Sequence, residues 1–399
     1  MTSTRTASSR RVLIPCAGAI ISSLAASLAL AADPHWTVIR LHPAGTEGSA
    51  AVATRGGQQV GYAVVNGDSR AGLWNGSSAS WVDLTPPGGI QAMALGVGGG
   101  QQVGTVTMDG NARASLWTGT AESWIDLTPP WAVVAGATSV HGGVQGGWVY
   151  ADGMTQAVMW TGSAESIIIL HPPGVSYSRV NGVYANYQVG EYREPGGSTR
   201  ACMWLGSSSS LIDLHPWGAT ASYATGAYAG EQVGYVAYDG AFHASLWTGS
   251  ASSWVNLAPP QMLDSYCHAV HMGVQVGTGL VDGKYRPSLW AGTPESWVDL
   301  SVFLPDTFGS GRAEGVWVGG DNVYVVGSGL NYLTGQQEAV LWIHGCRADF
   351  DGSGYVDTDD YDAFVRAFEE GTPNADYDWS GFVDTDDFDA YVRDFEKGC

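Results

Sequence analysis

Residues 101–130 read QQVGTVTMDGNARASLWTGTAESWIDLTPP. Gln102-Val103-Gly104 opens a β-prone run that ends at Asp109-Gly110, a pair suited to the positive backbone angles of a tight hairpin. A second run closes on Leu116-Trp117, Thr118-Gly119 marks the next turn, and Trp124-Ile125-Asp126-Leu127 is stopped by Pro129-Pro130. The same order recurs along the chain. Leu/Met-Trp pairs end at Trp74, Trp117, Trp160, Trp204, Trp247, Trp290 and Trp342, spaced by 43 or 44 residues until a last interval of 52. Gln-Val-Gly begins at Gln59, Gln102, Gln188, Gln232 and Gln275, with degenerate copies at Gln145-Gly146-Gly147 and Val325-Val326-Gly327. Each unit holds about four short strands, the pattern of a propeller blade of roughly 40–45 residues. Seven copies predict an all-β, seven-bladed β-propeller.

The ring also predicts its own closure. The last unit ends at its third strand, Ala339 to Ile343, while Val38-Ile39-Arg40-Leu41-His42-Pro43 matches the missing fourth strand and its proline stop. A thirteen-residue offset pairs Arg70 with Asp83, Arg113 with Asp126, Arg200 with Asp213 and Arg286 with Asp299. Where Arg is replaced, by Gln156 or His243, the acid is replaced too, by Ile169 or Asn256. In the closing unit the signs swap together, with Glu338 in the Arg slot and Arg40 in the Asp slot. These are expected to be same-face diagonal neighbours within reach of long side chains.

Across 399 residues there are 56 Gly and 17 Trp, a formal net charge of −21, and only two lysines, Lys284 and Lys397. Such a chain lacks the basic face of a phosphate-backbone binder, which argues against nucleic acid as a partner. Residues 1–31 read as an export signal: Arg5, Arg10 and Arg11 precede an uncharged apolar stretch that ends at Ala29-Leu30-Ala31. The expectation is a secreted, periplasmic or cell-surface protein without a transmembrane anchor. Export permits disulfides, and Cys346 with Cys399 brackets the final segment as the expected pair. Cys202 and Cys267 are expected as buried free thiols.

The middle of the chain resembles bacterial extracellular HAF-type repeats. Arg113-Ala-Ser-Leu-Trp117, Ile125-Asp-Leu127 and Gln102-Val-Gly104 carry the likeness over about residues 36–343. The resemblance implies an exported repeat protein and says little about chemistry.

Composition changes at Cys346. Residues 346–399 hold sixteen Asp/Glu against four Lys/Arg, and two loops repeat 27 residues apart. The first offers Asp349, Asp351, Ser353, Asp357 and Asp360 at positions 1, 3, 5, 9 and 12, with the carbonyl of Tyr355 at position 7. The second offers Asp376, Asp378, Ser380, Asp384 and Asp387, with the carbonyl of Phe382. Oxygen donors at this spacing, with Gly at position 6, suit a hard Ca²⁺ ion, so two Ca²⁺ sites are expected. Spaced aromatics after each loop predict a helix with one apolar face. Position 12 is Asp rather than Glu, and no amphipathic helix precedes either loop. That pattern resembles type I dockerin modules over about residues 347–396. The resemblance implies a cohesin-like partner selected through Thr358, Asp359, Thr385 and Asp386.

The domain expectation is therefore a signal peptide over 1–31, a propeller over 32–345 and a small helical dockerin-like domain over 346–399. No zinc pattern, nucleophile elbow, phosphate loop or redox Cys pair is present. His141 and His271 share a register with Arg55, Gly98, Tyr184 and Tyr228, expected as hairpin tips or, alternatively, a ligand rim. The better ligand candidates are Trp131, Tyr177, Arg179, Trp217, Tyr223, Tyr266 and Arg312, expected in irregular loops after each fourth strand. Glu191, Glu194 and Glu231 are candidate carboxylates without a mark of their own. Because the seven units look alike, the expectation is an exported non-catalytic binding or scaffold protein for an extracellular glycan or protein ligand. The alternative is a carbohydrate-active hydrolase or lyase on a propeller scaffold, which requires blades that break the repeat with acidic or His clusters.

Overall fold

The computed structural model describes residues 36–319, 322–345, 348–351, 356–372, 375, 377 and 382–397. Residues 1–31, Cys346 and Cys399 lie outside the described residues, and with them the export signal and the expected disulfide. No helix among the described residues is long and apolar enough to cross a membrane. Seven four-stranded antiparallel sheets form the propeller. Blades 1 to 7 begin with the inner strands Gly48–Arg55, Gln91–Gly98, Val134–His141, Tyr177–Tyr184, Ala221–Tyr228, Ser265–His271 and Phe308–Gly319. The outer strand of blade 7 is Trp36–Arg40, paired antiparallel with Gln336–His344 in the register Val38↔Trp342. The N-terminal strand closes the ring as the sequence predicts.

The repeated tryptophans hold neighbouring blades together. All seven on the third strands are fully buried. Trp117 of blade 2 packs with Val60, Leu73 and Leu84 of blade 1, and Trp74 of blade 1 packs with Ile39 and Leu341 of blade 7. A Trp removes about 150–250 Å² from water, so one per blade interface is a large apolar contribution for a small motif.

Each residue of Gln-Val-Gly has its own task. The buried Gln59 accepts the Gly76 N–H at 2.8 Å and donates to the Gly57 carbonyl at 2.8 Å, joining the first hairpin of its blade to the turn between strands three and four. Gln102, Gln145, Gln232 and Gln275 repeat both bonds. Val60, Val103, Val189, Val233 and Val276 are fully buried core residues. The glycine faces an inner strand that bulges in every blade, and a Cβ on Gly61, Gly104, Gly147, Gly190, Gly234, Gly277 or Gly327 would overlap a carbonyl oxygen of that strand. Blade 7 keeps the glycine but carries Val325 in place of Gln. Its outer strand arrives from the N-terminus, so the turn that Gln would bond does not exist there.

All five sequence-paired charges meet. Arg70–Asp83 lies at 2.9 Å, Arg113–Asp126 at 4.0 Å, Arg200–Asp213 at 2.7 Å, Arg286–Asp299 at 3.7 Å and Arg40–Glu338 at 2.6 Å. The first four are partly solvated pairs, of a kind worth at most about 1 kcal/mol. The closing pair differs: the Glu338 side chain is 0% exposed and also accepts from Asn331 Nδ2 at 2.8 Å and Thr334 Oγ1 at 3.2 Å, whereas Arg40 is 52% exposed. Cys202 and Cys267 are buried free thiols, and burial pushes both well above the usual thiol range.

After the propeller, the helices Thr358–Glu369 (α1) and Thr385–Lys397 (α2) pack their aromatic faces together. Phe364 and Tyr391 stack at 3.9 Å and are both fully buried.

The closing pair carries a specific expectation. Arg40→Ala leaves the buried Glu338 carboxylate without its cation and should cost about 1–3 kcal/mol, the exposure of Arg40 placing it below the fully buried case. The same change in a Glu338→Gln background should cost markedly less, read by urea denaturation of the four-member cycle. Additive losses would show that the pair does not couple the termini.

Candidate functional site

The bulge that demands a glycine on the second strand also sets what the channel contains. The inner-strand register shifts at the same place in all seven blades, leaving Val52, Leu95, Thr138, Asn181, Thr225, His268 and Glu314 as the bulged residues. A bulge re-aims a side chain out of the sheet alternation, and these seven line an axial cavity of about 440 Å³. Four consecutive members tie blade to blade. Thr138 Oγ1 donates to the Val180 carbonyl at 2.8 Å, Asn181 Nδ2 to Ala224 at 2.9 Å, Thr225 Oγ1 to Cys267 at 2.8 Å, and His268 Nδ1 to Ala313 at 2.9 Å.

Two residues before each bulge the inner strands carry Ala50, Met93, Gly136, Arg179, Tyr223, Tyr266 and Arg312, the last four on blades 4 to 7. Opposite them on the second strands stand Tyr62, Thr105, Trp148, Glu191, Tyr235, Thr278 and Ser328. The layer is lopsided. Blades 1 and 2 contribute no charge to it, whereas blades 3 to 7 contribute a cluster of aromatics, two arginines and an acid. Arg179 lies over the Trp148 ring at 5.7 Å, and Arg312 over Tyr285 at 5.4 Å. Tyr235 stacks on Tyr223 at 4.6 Å and meets the edge of Tyr266 at 5.1 Å.

Glu191 is the singular member. It is 6% exposed, accepts from Tyr177 Oη at 3.1 Å and is bonded by Asn181 Nδ2. Burial pushes its carboxyl above the ordinary range, and Arg179, Asn181 and Tyr177 only partly offset that. Tyr177 in turn is pushed up to about 12 by burial and by the Glu191 charge. A second carboxylate behaves oppositely. Burial alone would raise Glu314, but the His268 cation at 3.0 Å, with Arg312 beyond, outweighs it and holds Glu314 below the usual carboxylate range. His268 is lowered by burial and raised more by Glu314, for a net upward shift.

The sequence candidates divide cleanly. Arg179, Tyr223, Tyr266 and Arg312 share one layer, with Tyr177 beside them, but they lie on inner strands rather than in irregular loops. Trp131 and Trp217 do lie in loops, at 49% and 95% exposed. Glu194 is exposed, and Glu231 opens the second strand of blade 5 at the opposite mouth, so no carboxylate pair forms among the three candidates. Asn181, His268 and Glu314 were missed. Their signal was the position after Val180, Cys267 and Ala313 in the repeat, where other blades carry Val, Leu or Thr.

In the C-terminal module, carboxylate oxygens of Asp349, Asp351 and Asp360 lie within 4.8 Å of one another. Asp360 is fully buried, its two oxygens accepting the Asp351 N–H at 3.0 Å and the Asp357 N–H at 2.8 Å. In the second loop, the buried Asp387 accepts the Asp384 N–H at 2.8 Å. Ser353, Tyr355, Asp376, Asp378 and Ser380 lie outside the described residues. Thr358, Asp359, Thr385 and Asp386 are exposed on the first turns of α1 and α2.

No protein-family model and no curated protein matches the chain. Among solved structures it is similar to a puromycin hydrolase at 14% identity, covering 73% of this chain and 53% of that one, with a TM-score of 0.46. It is also similar to the β-propeller domain of the Trilobed protease from Pyrococcus furiosus, at 10% identity over 74% of this chain and 95% of that one, TM-score 0.49. An oligogalacturonate lyase from Vibrio parahaemolyticus matches at 9% identity over 78% and 94%, TM-score 0.45. The chain spans about half the length of the puromycin hydrolase, and these likenesses show the propeller fold alone. The expectation of a non-catalytic binding or scaffold protein is nevertheless corrected. Blades 4, 6 and 7 break the repeat with Glu191, His268 and Glu314, the acidic and His cluster that the enzyme alternative requires.

The His268–Glu314 pair carries a pH signature. The raised His268 contributes stability below the ordinary histidine value near 6.5 that is lost as pH rises through its folded value. The lowered Glu314 contributes above the ordinary carboxylate range and loses it on acidification. The melting temperature should therefore fall on the alkaline side, and His268→Gln should flatten that decline. An unchanged alkaline profile in the variant would remove the pair from the account.

Proposed function

We propose that the propeller is a carbohydrate-active hydrolase or lyase working at the channel mouth formed by blades 3 to 7. The opposite shifts of Glu191 and Glu314 carry this reading, because two carboxylates pushed apart by their surroundings are suited to acid and base roles. Glu191, kept protonated to higher pH by burial, suits a general acid. Glu314, kept ionised beside His268, suits a base or a charge stabiliser. Tyr223, Tyr235, Tyr266 and Trp148 offer faces for sugar rings, and Arg179 and Arg312 offer planar donors to an acidic substituent.

The C-terminal segment is proposed as a dockerin-like Ca²⁺ module of an exported protein that follows a HAF-type repeat propeller. Three convergent carboxylates, one fully buried, fit a hard cation that takes oxygen ligands. Asp349, Asp351 and Asp360 would hold the ion in the first loop, with Ser353, the Tyr355 carbonyl and Asp357 completing the set. The second loop would use Asp376, Asp378, Ser380, the Phe382 carbonyl, Asp384 and Asp387. Bound Ca²⁺ would neutralise the crowded acids and fix the start of each helix. The exposed Thr358, Asp359, Thr385 and Asp386 would then face a cohesin-like partner.

A panel of neutral and acidic polysaccharides, assayed for reducing ends and for unsaturated products absorbing near the ultraviolet, tests the enzyme reading and separates hydrolase from lyase. Glu191→Gln should lower turnover about 10²–10⁴-fold with the melting temperature kept. The wild-type rate should fall as pH rises through the raised Glu191 value. An inert wild type, or an active Glu191→Gln, would defeat it. For the module, chelation should expose the C-terminal segment of the full chain to protease, added Ca²⁺ should restore protection, and Asp360→Asn should abolish the restoration. Protection indifferent to chelator would contradict the Ca²⁺ reading.

A further inference from the structure

We propose that the opposite channel mouth, formed by the first hairpin of each blade, binds an oxyanion or carboxylate between Arg55, His141 and His271. The residues three past each bulge occupy one register position around the ring: Arg55, Gly98, His141, Tyr184, Tyr228, His271 and Trp317. Four of them form an unbroken aromatic arc. His141–Tyr184, Tyr184–Tyr228 and Tyr228–His271 ring centres are 4.6, 4.6 and 4.2 Å apart. The Arg55 stem passes over Gly98 of blade 2, where an added Cβ would lie in contact with Arg55 Cδ at 3.7 Å. The guanidinium thereby reaches blade 3, with Nη2 at 3.4 Å from His141 Nε2.

The histidine tautomers decide what this collar can hold. The Ala185 N–H donates to His141 Nδ1 at 3.1 Å, and the Val318 N–H donates to His271 Nδ1 at 3.1 Å. A backbone N–H can only donate, so each Nδ1 is an acceptor and each neutral ring carries its proton on Nε2. Nε2–H of His141 and the Arg55 guanidinium are then two donors facing each other with no acceptor between them. An anionic oxygen resolves that contact by accepting from both. Burial lowers both histidines, and Arg55 lowers them further, so its charge reaches both rings. The same tautomer argues against a transition metal, because a ligating nitrogen needs its lone pair and a second nitrogen that donates rather than accepts.

Space and charge agree. Arg55, Tyr184, Tyr228, His271 and Trp317 line the axial cavity of about 440 Å³, which is large enough for an anionic group carried on a sugar-sized body. The acid on this side of blade 5, Glu231, accepts the Gly273 N–H of the neighbouring hairpin.

Isothermal titration calorimetry of the full chain in a low-anion buffer tests the site with sodium sulfate, sodium D-glucuronate and neutral methyl glucoside. Sulfate and glucuronate should compete for one saturable site, and methyl glucoside should displace neither. Tighter glucuronate binding would assign the site to a sugar-borne carboxylate, and tighter sulfate binding to a free oxyanion. Arg55→Met should weaken both about tenfold or more, as expected for loss of a charge-assisted pair. Arg55→Lys, which keeps the charge but not the fork, should fall between and serves as the folded control. His141→Phe, which keeps the aromatic arc but not the Nε2–H, should also weaken binding. Glu191→Gln should bind as the wild type, which separates this site from the proposed chemistry at the other mouth. The proposal is overturned if no anion binds saturably, if Arg55→Met binds unchanged, or if Zn²⁺ binds in the anion's place.

Discussion

One steric constraint organises this propeller: the inner strand of every blade bulges, and the bulge turns a carbonyl onto the neighbouring strand where only glycine fits. Any side chain at Gly61 or its six counterparts would collide with backbone, which cannot yield as a flexible side chain can. The bulge therefore stays, and the residue it displaces is delivered to the channel. From this follow the inter-blade bonds of Thr138, Asn181, Thr225 and His268, and the placing of Glu314 beside His268. The motif that repeats in the sequence is thus the scaffold of a position that does not repeat.

That separation explains what the sequence disclosed. Tryptophan spacing, turn glycines and the charge-swapped Arg40–Glu338 pair are local or strictly periodic signals, and the blades, their number and the closure were legible from them. Gln-Val-Gly was visible as a marker but not as a mechanism. Its meaning lies in contacts across a hairpin and to a second turn, such as Gln59 to both Gly57 and Gly76. Valine at 325 looked like decay of the motif, yet it stands where the bonded turn is missing. Arg179, Tyr223, Tyr266 and Arg312 were picked out as polar or aromatic residues near the ends of units. Their shared layer needed the strand register. Asn181, His268 and Glu314 escaped because a single bulged residue shifts the alternation by one, so a period-of-two reading assigns them to the wrong face.

The channel then has two unlike mouths on one frame. One gathers aromatic rings, two arginines and a buried acid on blades 3 to 7. The other gathers an arginine and two histidines whose backbone bonds fix them as donors. Both use strand ends, so a rigid sheet rather than a loop sets the side-chain positions, which favours a preorganised site. Blades 1 and 2 contribute no charge to the first layer, which would confine the proposed chemistry to one side of the ring.

The central claim is that the fold holds two channel carboxyls in opposite protonation regimes. Titration of the protein with ¹³C-labelled glutamate side chains measures this directly. The account predicts one carboxyl carbon that titrates above the ordinary glutamate range and vanishes in Glu191→Gln, and one below that range that vanishes in Glu314→Gln. If both resonances titrate within the ordinary range, the environments inferred from burial and from the His268 pair are wrong, and the acid–base assignment falls with them.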